Sequence, residues 1–140
     1  MIVSSDGLVV SNPTDQWKGC RGTTSVGKHG KYYFECKIGG DAKDISRVGW
    51  CTRDDSLNLG TTSNGFGFGG TGKKCSSGKF LDYGVKFTTG DVIGCSLNLD
   101  AKSVSFSKNG QDLGIAFNNI KSNVCYIQIL KKHLVRSISI

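Results

Sequence analysis

The segment of residues 60–74 carries the residue types of a nucleotide-binding loop, since it reads GTTSNGFGFGGTGKK. Its glycines fit the G-x-G-x-x-G pattern of dinucleotide-binding folds, and they also fit the G-x-x-x-x-G-K pattern of phosphate loops. Glycine lets the backbone approach a phosphate closely, and a following lysine can neutralise the phosphate charge. The matching residues are Gly65, Gly67 and Gly70 for the first pattern, and Gly67, Gly72 and Lys73 for the second.

Both patterns lack the context that nucleotide binding requires. A phosphate loop needs a following helix, whose first N–H groups face the phosphates, and a Ser or Thr directly after the lysine to bind magnesium. Position 74 is a lysine, and residues 75–79 (CSSGK) read as a turn rather than as the start of a helix. A dinucleotide-binding loop likewise needs a βαβ unit. The sequence therefore disfavours a nucleotide-binding enzyme and predicts no cofactor for this domain.

A β-strand explains the same segment better. Phe66 and Phe68 lie two residues apart and share one face of a strand, while the intervening glycines share the other. A glycine face permits another backbone, or a partner, to approach closely. Residues 71–74 would then form an exposed basic turn. Three uses of such a turn remain open, namely an anion contact, a peptide-docking loop or a solvated surface.

Other side chains capable of acid–base or metal chemistry are scattered. The only glutamate is Glu35, and the two histidines, His29 and His133, are far apart in sequence. The loop aspartates at positions 41, 44, 54 and 55 match the preference of Asp for turns and have no positioned partner. No Ser-His-Asp or Cys-His arrangement and no zinc-ligand spacing occurs. The sequence predicts no catalytic residue and no metal site.

The charge of the chain indicates which partners are compatible with it. Its 140 residues carry a formal net charge of +7, which favours an acidic partner, RNA or an anionic membrane surface. The basic residues are scattered, however, and such a distribution is typical of a solvated surface. No apolar run approaches the length of about 18 residues that a membrane-spanning helix needs. No membrane partner is therefore expected.

Six cysteines occur, and their context argues against disulfides. No pair has C-x-x-C spacing, and Cys36, Cys95 and Cys125 lie in apolar, β-like runs. The first residues, MIVSSDGLVV, have neither the basic region nor the long apolar stretch of a signal peptide. We therefore expect free, buried thiols in a reducing intracellular compartment, nuclear or cytoplasmic.

Hydrophobic and polar residues alternate along most of the chain, which is typical of half-buried β-strands. The alternation is clear in residues 31–38, and again in residues 93–99 and 103–107 on either side of a turn. Asn109–Gly110 is a strong signal for a tight hairpin turn. The inward-facing positions beyond that turn are predicted to be Leu113, Ile115 and Phe117.

Shorter strands are expected at residues 8–10, 47–52, 125–130 and 134–140, separated by turn clusters that include residues 61–64 and 76–78. Trp17 and Trp50 are expected to anchor the core rather than to form a ligand platform. No linker or internal repeat divides the chain. These features predict an all-β protein, with residues 1–140 as a single domain of two stacked antiparallel sheets.

Several motifs resemble those of the SPRY domain, a β-sandwich interaction module that is also found within B30.2 domains. They are WKGCR (residues 17–21), GKYYFE (30–35), VGW (48–50), GDVIG (90–94) and VSFSKNG (104–110). The resemblance implies a SPRY-type β-sandwich with no catalytic residues. It also implies that binding uses loops at one end of the sandwich.

Within that family, the chain is similar to the SPRY domains inserted in DEAD-box RNA helicases, over roughly residues 5–140. The most specific motifs are RVGW (47–50), SLNLG (56–60) and GFGFGGTGKK (65–74). No D-E-A-D, no S-A-T and no intact phosphate loop occurs, so the resemblance implies an insert from a larger helicase, without its ATPase machinery. ATP and magnesium are implied only for that parent. The chain ends in RSISI where such domains commonly have Asn-Phe-Gly, which leaves the register of the last strand open.

The predicted partner is a protein or peptide, acidic or phosphorylated, and the isolated domain is expected to be a monomer. An auxiliary RNA-binding surface beside a helicase core is the alternative. Side chains in the loops would act as charge and hydrogen-bond donors to the partner. The predicted donors are Arg21, Arg53, Lys73, Lys74, Tyr83 and Lys108, and the predicted apolar wall beside them is Trp50 and Phe68.

Overall fold

The computed structural model describes residues 1–23, 25–40 and 45–121, together with the backbone of residues 126–132 and 137–139. Over these residues the chain forms thirteen β-strands and no helix. They make two antiparallel sheets that pack face to face, which confirms the predicted β-sandwich. Some of the residues named in the predictions lie outside the described residues, namely the loop aspartates at positions 41 and 44, Cys125, His133, and residues 134–136 and 140 of the predicted last strand.

The first sheet has seven strands in the spatial order β1-β2-β13-β4-β9-β10-β11. The second sheet has six strands in the order β3-β12-β5-β6-β7-β8. The strands of the first sheet are β1 (Ile2–Val3), β2 (Val9–Ser11), β4 (Lys31–Ile38), β9 (Val92–Asn98), β10 (Ser103–Lys108), β11 (Gln111–Phe117) and β13 (Ser137–Ser139). Those of the second are β3 (Lys18–Arg21), β5 (Ile45–Cys51), β6 (Gly65–Gly69), β7 (Lys73–Ser76), β8 (Lys79–Asp82) and β12 (Tyr126–Lys132).

The alternating pattern read from the sequence corresponds to the packing of β4. Its buried positions are Phe34, Cys36 and Ile38, and the intervening residues are exposed. Strand β4 pairs with β9 along its length, so that both strands turn apolar side chains toward the second sheet. Burial of alternate residues is the main stabilising contribution of such strands, because one face leaves water and the other stays solvated.

The hairpin predicted at Asn109–Gly110 is confirmed. Both residues have positive φ, 50° for Asn109 and 84° for Gly110, as a two-residue turn between β10 and β11 requires. The Asn109 side chain also accepts a hydrogen bond of 2.8 Å from the N–H of Val92 and donates one of 3.0 Å to Asp91. These contacts connect the turn to the start of β9.

Aromatic side chains fill the space between the two sheets. The ring of Phe68 lies 5.0–5.4 Å from the rings of Tyr83, Phe87 and Phe106, and it is fully buried. Trp50 packs edge-on against Phe34 at 5.0 Å, which confirms its predicted core position. Trp17 is different, because its ring lies against Arg47 and it is only partly buried. The prediction that Trp17 anchors the core was therefore wrong.

Strand β11 departs from the predicted alternation. Ile115, which was expected to face inward, is 58% exposed, whereas Ala116 is buried. The register between β10 and β11 shifts twice, and Gly114 has a φ of +91°, so the alternation of faces is broken at this point. A bulge of this kind cannot be read from hydrophobic period alone.

The hydroxyl of Tyr83 occupies the gap that this bulge leaves in the ladder. It accepts a hydrogen bond of 3.2 Å from the N–H of Phe106 in β10 and donates to the carbonyl oxygen of Gly114 in β11. Burial raises the pKa of Tyr83, so the hydroxyl keeps its proton at neutral pH. Tyr83 therefore replaces a missing backbone pair rather than serving as a free donor in a loop.

We expect Tyr83→Phe to lower the free energy of unfolding by about 1–3 kcal/mol, because two backbone groups lose their partner. Urea denaturation monitored by tryptophan fluorescence would measure the change. The matched control is Tyr32→Phe, since the Tyr32 hydroxyl donates to the exposed loop carbonyl of His29 at 2.7 Å and to no backbone group of a strand among the described residues. That variant should change stability by less than about 0.5 kcal/mol. Equal effects of the two variants would contradict the role assigned to Tyr83.

The glycine face of β6 is covered by the chain itself. Residues 52–64, here called the covering segment, lie across the outer face of the second sheet. A Cβ placed on Gly65 would lie 2.5 Å from Asp55, and one on Gly67 would lie 3.0 Å from Leu59. A Cβ on Gly19 in β3 would lie 2.1 Å from the carbonyl oxygen of Leu57. The close approach expected on the glycine side is thus made by an internal segment.

Lysines 73 and 74 also lie in a strand and not in a turn. Strand β7 begins at Lys73, and the turn before it is confined to residues 70–72, where Gly72 has a φ of +82°. The expectation of an exposed basic turn over residues 71–74 was therefore wrong. The sequence Cys75-Ser-Ser-Gly-Lys79 does contain the predicted turn, but strands β7 and β8 flank it.

None of the five described cysteines forms a disulfide, and four of them are buried. Burial raises the pKa of the Cys75 thiol to about 11 and that of Cys95 well above its usual range. These two thiols are therefore protonated at neutral pH and have little nucleophilic character. The prediction of buried cysteines outside disulfides is confirmed for Cys36 and Cys95.

Candidate functional site

A cleft of about 250 Å³ opens at the end of the sandwich where β6 and β10 begin. Three segments form its walls, namely the end of the covering segment, the turn between β7 and β8, and the loop after β11. Two aromatic rings, Phe66 and Phe117, form its floor with their centroids 5.4 Å apart. The other lining residues are Ser63, Asn64, Ser76, Ser77, Asn118, Asn119, Ile120 and Lys121.

Backbone hydrogen bonds hold the walls of the cleft in place. The N–H of Ser77 donates to the carbonyl oxygen of Thr62 at 2.8 Å, which joins the β7–β8 turn to the covering segment. The N–H of Ile120 donates to the carbonyl oxygen of Lys102 at 3.1 Å, which joins the third wall to the first sheet. Ser77 and Asn119 have positive φ, as the tight turns at these positions require. The cleft is therefore a pre-formed feature of the loops.

The lining combines an apolar floor with many hydrogen-bonding groups. Serine hydroxyls and asparagine amides can each donate and accept, and Lys121 adds a positive charge. Lys102 is exposed as well, and its carbonyl oxygen is bonded to the lining residue Ile120. The cleft can therefore offer apolar contact from its floor and hydrogen bonds from the surrounding side chains.

The structure places the predicted site residue Arg21 beneath the covering segment. Its Nη1 donates to the carbonyl oxygen of Arg53 at 2.6 Å, its other terminal nitrogen donates to the carbonyl oxygen of Asp55, and its Nε donates to Cys51 Sγ at 3.1 Å. These bonds fasten the start of the covering segment to β3. Within the described part of the chain, the Arg53 side chain is exposed and makes no such contact.

The predicted lysines have internal partners as well. Lys73 forms an ion pair with Asp82 at 2.9 Å. Lys74 crosses to the other sheet, where its Nζ donates to the carbonyl oxygen of Ala116 at 2.7 Å and lies 5.5 Å from the centroid of the Phe117 ring.

Lys108 lies at the opposite end of the sandwich from Arg21. Its Nζ donates to the carbonyl oxygen of Lys86 at 3.0 Å and lies 3.8 Å from Asp91. The pKa of Asp91 is held below its usual value, because hydrogen bonds and the Lys108 charge outweigh the opposing effect of burial. The predicted donors are therefore split between the two ends of the sandwich, and most of their polar atoms stabilise the fold.

The predicted apolar wall does not face solvent. Trp50 is 1% exposed and Phe68 is 0% exposed, so neither side chain is accessible to a partner. Both lie on inward-facing positions of central strands and pack between the sheets. Direct partner contact through Trp50 or Phe68 is thus incompatible with their burial.

The sequence analysis did not predict the residues that line the cleft as site residues. The turn clusters at residues 61–64 and 76–78 did indicate two of its three walls, because Ser, Asn and Gly are typical of turns. Pattern reading has no means of showing that these turns meet the loop after β11 at one end of the sandwich. The pair Asn118–Asn119 is the one additional local signal.

No group of three or more metal-ligating side chains is present among the described residues. In the same part of the chain, no helix is long and apolar enough to cross a membrane.

Comparison with known proteins agrees with the architecture. The family model of the SPRY domain matches residues 31–132, which run from the first residue of β4 to the last residue of β12. The chain belongs to the SPRY family. The crystal structure of the SPRY domain of human HERC1 has the same fold, with a TM-score of 0.82, 22% sequence identity, and coverage of 99% of this chain and 89% of that one.

Curated relatives narrow the position of this SPRY domain within its family. It is 45% identical to the Drosophila melanogaster ATP-dependent RNA helicase Ddx1 over 95% of its length, and 51% identical to the Xenopus laevis ATP-dependent RNA helicase DDX1 over 82%. It is also 39% identical to the mouse heterogeneous nuclear ribonucleoprotein U-like protein 2 over 77%. The chain spans only 19%, 15% and 16% of those relatives, respectively. The predicted resemblance to helicase SPRY inserts is thereby confirmed.

Proposed function

We propose that this SPRY domain is a non-catalytic protein-interaction module that binds a peptide segment of its partner in the cleft at the end of the sandwich. The supporting observation is the cleft itself, which combines a floor of two aromatic rings with a rim of hydroxyl, amide and ammonium groups. A volume of about 250 Å³ accommodates one or two side chains, and it is smaller than the clefts that commonly hold drug-sized ligands.

The partner segment is acidic or phosphorylated. Lys121 lines the cleft, and the surrounding hydroxyls and amides can donate hydrogen bonds to carboxylate or phosphate oxygens. The net charge of +7 attracts such a segment at long range and increases its association rate. No cofactor takes part in this binding. The domain acts as a monomer and presents the cleft to the partner.

We also propose that the domain is an insert of an ATP-dependent RNA helicase, because its helicase relatives are several times longer than the chain. The ATPase reaction, with its ATP and magnesium, then belongs to the remainder of that protein, which would reside in the nucleus or cytoplasm. The alternative, an auxiliary RNA-binding surface, has weaker support. Three of the basic side chains predicted to contact a partner, Lys73, Lys74 and Lys108, have intramolecular partners.

Charge reversal at the cleft tests the proposal. Lys121→Glu should weaken binding of a fluorescein-labelled peptide of alternating glutamate and serine about tenfold, because a favourable charge contact becomes a repulsive one. The measurement is fluorescence anisotropy, with the same peptide phosphorylated on its serines as a second ligand.

The matched control is Lys37→Glu, which makes the same change in net charge. Lys37 is exposed on β4 and lies far from the cleft. It should change the affinity by no more than about twofold. A further variant, Ser63→Arg, fills the rim of the cleft with a bulky side chain and should also weaken binding. Equal losses for Lys121→Glu and Lys37→Glu, or no binding of either peptide, would argue against the cleft as the binding site.

A further inference from the structure

Strand β8 is the last strand of the second sheet, and it pairs on one side only, with β7. The direction of its backbone groups follows from Tyr83, whose N–H donates to the carbonyl oxygen of Gly72 at 2.9 Å and therefore points toward the β7 side. Successive residues of an antiparallel strand alternate in this direction. The backbone groups of Leu81 thus point toward β7, whereas the N–H and C=O groups of Phe80 and Asp82 point away from it.

Four backbone groups are therefore open at this edge of the sheet. Among the described residues, no side chain or backbone group forms a hydrogen bond with the outward N–H and C=O groups of Phe80 and Asp82. All four residues of β8 are exposed. Phe80 is 44% and Leu81 is 55% exposed, and their side chains lie on opposite faces of the strand. The edge thus combines alternating donors and acceptors with two exposed apolar side chains.

The conformation of β8 is already fixed before any partner binds. The turn that precedes it, Ser77 and Gly78, has positive φ at both residues, 54° and 72°, as a two-residue hairpin requires. The N–H of Gly78 donates to the carbonyl oxygen of Gly60 at 2.9 Å, which joins this turn to the covering segment. On the outer face of the sheet, the guanidinium carbon of Arg47 lies 4.8 Å from the centroid of the Phe80 ring. A pre-organised strand lowers the entropic cost of binding.

The other edge strands of the two sheets are less suited to pairing. Strand β1 has two residues, and β11 is interrupted by its bulge, where Gly114 has a φ of +91°. Strand β3 carries no large exposed apolar side chain. Of the four edge strands in the described part of the chain, β8 is the one whose backbone groups and apolar side chains are both open.

We propose that an extended segment of a partner protein adds to β8 as an antiparallel strand, at a site separate from the residues that line the cleft. Only an extended polypeptide presents donors and acceptors at the spacing of the open groups. The partner residue opposite Phe80 packs beside its ring on the outer face, and the residue opposite Leu81 packs on the other face. An acidic residue fits opposite Lys79, whereas Asp82 is already paired with Lys73 at 2.9 Å.

A second copy of this chain fits the edge poorly. If two β8 strands paired antiparallel, Phe80 would lie opposite Phe80 or opposite Asp82 of the other copy, or Asp82 would lie opposite Asp82. The first register reaches Gly78 at the next hydrogen-bonded pair, where the turn ends the strand. The second sets an apolar ring against a carboxylate, and the third sets like charges opposite each other. Four residues also bury far less than the roughly 1,200 Å² of a stable interface, so transient binding of a short segment is expected.

The experiment titrates the isotope-labelled domain with the peptide GSTVYESG, up to about 2 mM, and records amide NMR signals. Its threonine, valine, tyrosine and glutamate are placed opposite residues 82, 81, 80 and 79. The amide signals of Phe80 and Asp82 should shift, and their hydrogen exchange should slow, because both N–H groups gain an acceptor. The amide of Leu81 should change less, since it already faces β7.

Two methylated peptides provide the matched control. N-methylation of the threonine and the tyrosine removes the donors that face β8, and it should weaken binding at least about tenfold. N-methylation of the valine and the glutamate removes the same number of donors from the opposite edge of the peptide. That peptide should bind within about threefold of the unmodified one, because its bonds to β8 remain.

A pair of domain variants tests the same contact from the other side. Asp82→Pro removes an outward N–H, whereas Asp82→Ala loses the same ion pair with Lys73 and keeps the N–H. The proline variant should bind at least about fivefold more weakly than the alanine variant. Unchanged signals of Phe80 and Asp82, equal losses for the two methylated peptides, or self-association of the domain through β8 would each overturn the proposal. Lys121→Glu should leave this binding within about twofold, so failure of either proposal leaves the other intact.

Discussion

Alanine substitution of three glycines on the outer face of the second sheet should destabilise the domain in the order Gly49, Gly67, Gly69. We expect Gly49→Ala to lower the free energy of unfolding by about 3 kcal/mol or more, Gly67→Ala by about 1–2 kcal/mol, and Gly69→Ala by less than about 1 kcal/mol. Urea denaturation monitored by fluorescence and circular dichroism provides the measurement.

The order follows from the space at each position. A Cβ on Gly49 would lie 1.9 Å from the carbonyl oxygen of Phe66, so the backbone of β6 would have to move. A Cβ on Gly67 would lie 2.9 Å from Cys75 Sγ and 3.0 Å from Leu59, both of them buried side chains. At Gly69 the nearest atom is at 3.5 Å.

Backbone conformation does not confound this comparison, because none of the three glycines has a left-handed φ. Gly69→Ala is the matched control, since it makes the same chemical change in the same strand as Gly67→Ala. Alanine also restricts the unfolded chain, which contributes about 0.4–1 kcal/mol in favour of folding at a compatible site. If Gly67→Ala were as stable as Gly69→Ala, the covering segment would not be packed on β6 as described.

Phe68→Ala is expected to lower the free energy of unfolding by about 3–5 kcal/mol, the range typical of aromatic truncation in a core. The side chain is fully buried and its ring lies within 5.4 Å of three other rings, so the cavity would be lined by aromatic groups that cannot all collapse into it. Chemical denaturation again measures the loss, and Phe68→Leu should recover part of it.

Phe80→Ala is the control, because it truncates a phenylalanine at the surface instead of one in the core. Phe80 is 44% exposed and contacts the guanidinium of Arg47, so Phe80→Ala should reduce stability by about 1 kcal/mol or less. If Phe68 contacted a partner instead of the core, Phe68→Ala would weaken binding and leave stability nearly unchanged. That outcome would contradict the buried position assigned to the Phe-Gly strand.

The strands in which apolar and polar residues alternate regularly, and the tight turn between two of them, were predictable from the sequence. The alternation in Lys31–Ile38 predicted both the bounds of β4 and its buried face, because period two has one physical explanation when a strand is half buried. The Asn109–Gly110 turn was equally predictable, since few other residues adopt the positive φ that a two-residue hairpin needs. The motifs that resemble those of SPRY domains also predicted that the strands form a β-sandwich.

Positions that depend on long-range neighbours could not be predicted in this way. Ile115 has the spacing of a buried residue, but the bulge beside it turns it outward. Lys74 looks like a surface charge, but its ammonium group reaches a backbone carbonyl on the opposite sheet. Arg21 resembles a loop donor, but it fastens the covering segment from beneath. In each case, a side chain that faces solvent and one that has an internal partner or contact fit the same local sequence pattern.

The sequence by itself determined that the chain is all-β, that residues 65–69 form a strand of alternating phenylalanine and glycine, and that the nucleotide motifs lack a helix. Only the tertiary structure decided what the glycines accommodate. They leave room for residues 52–64 of the same chain, which are distant from β3 and β7 in sequence and meet them only in the folded sheet. The preference of a residue for a strand or a turn depends on its neighbours in the sequence. Which segment covers a sheet, and which three loops meet in a cleft, depends instead on which strands pair in the folded protein.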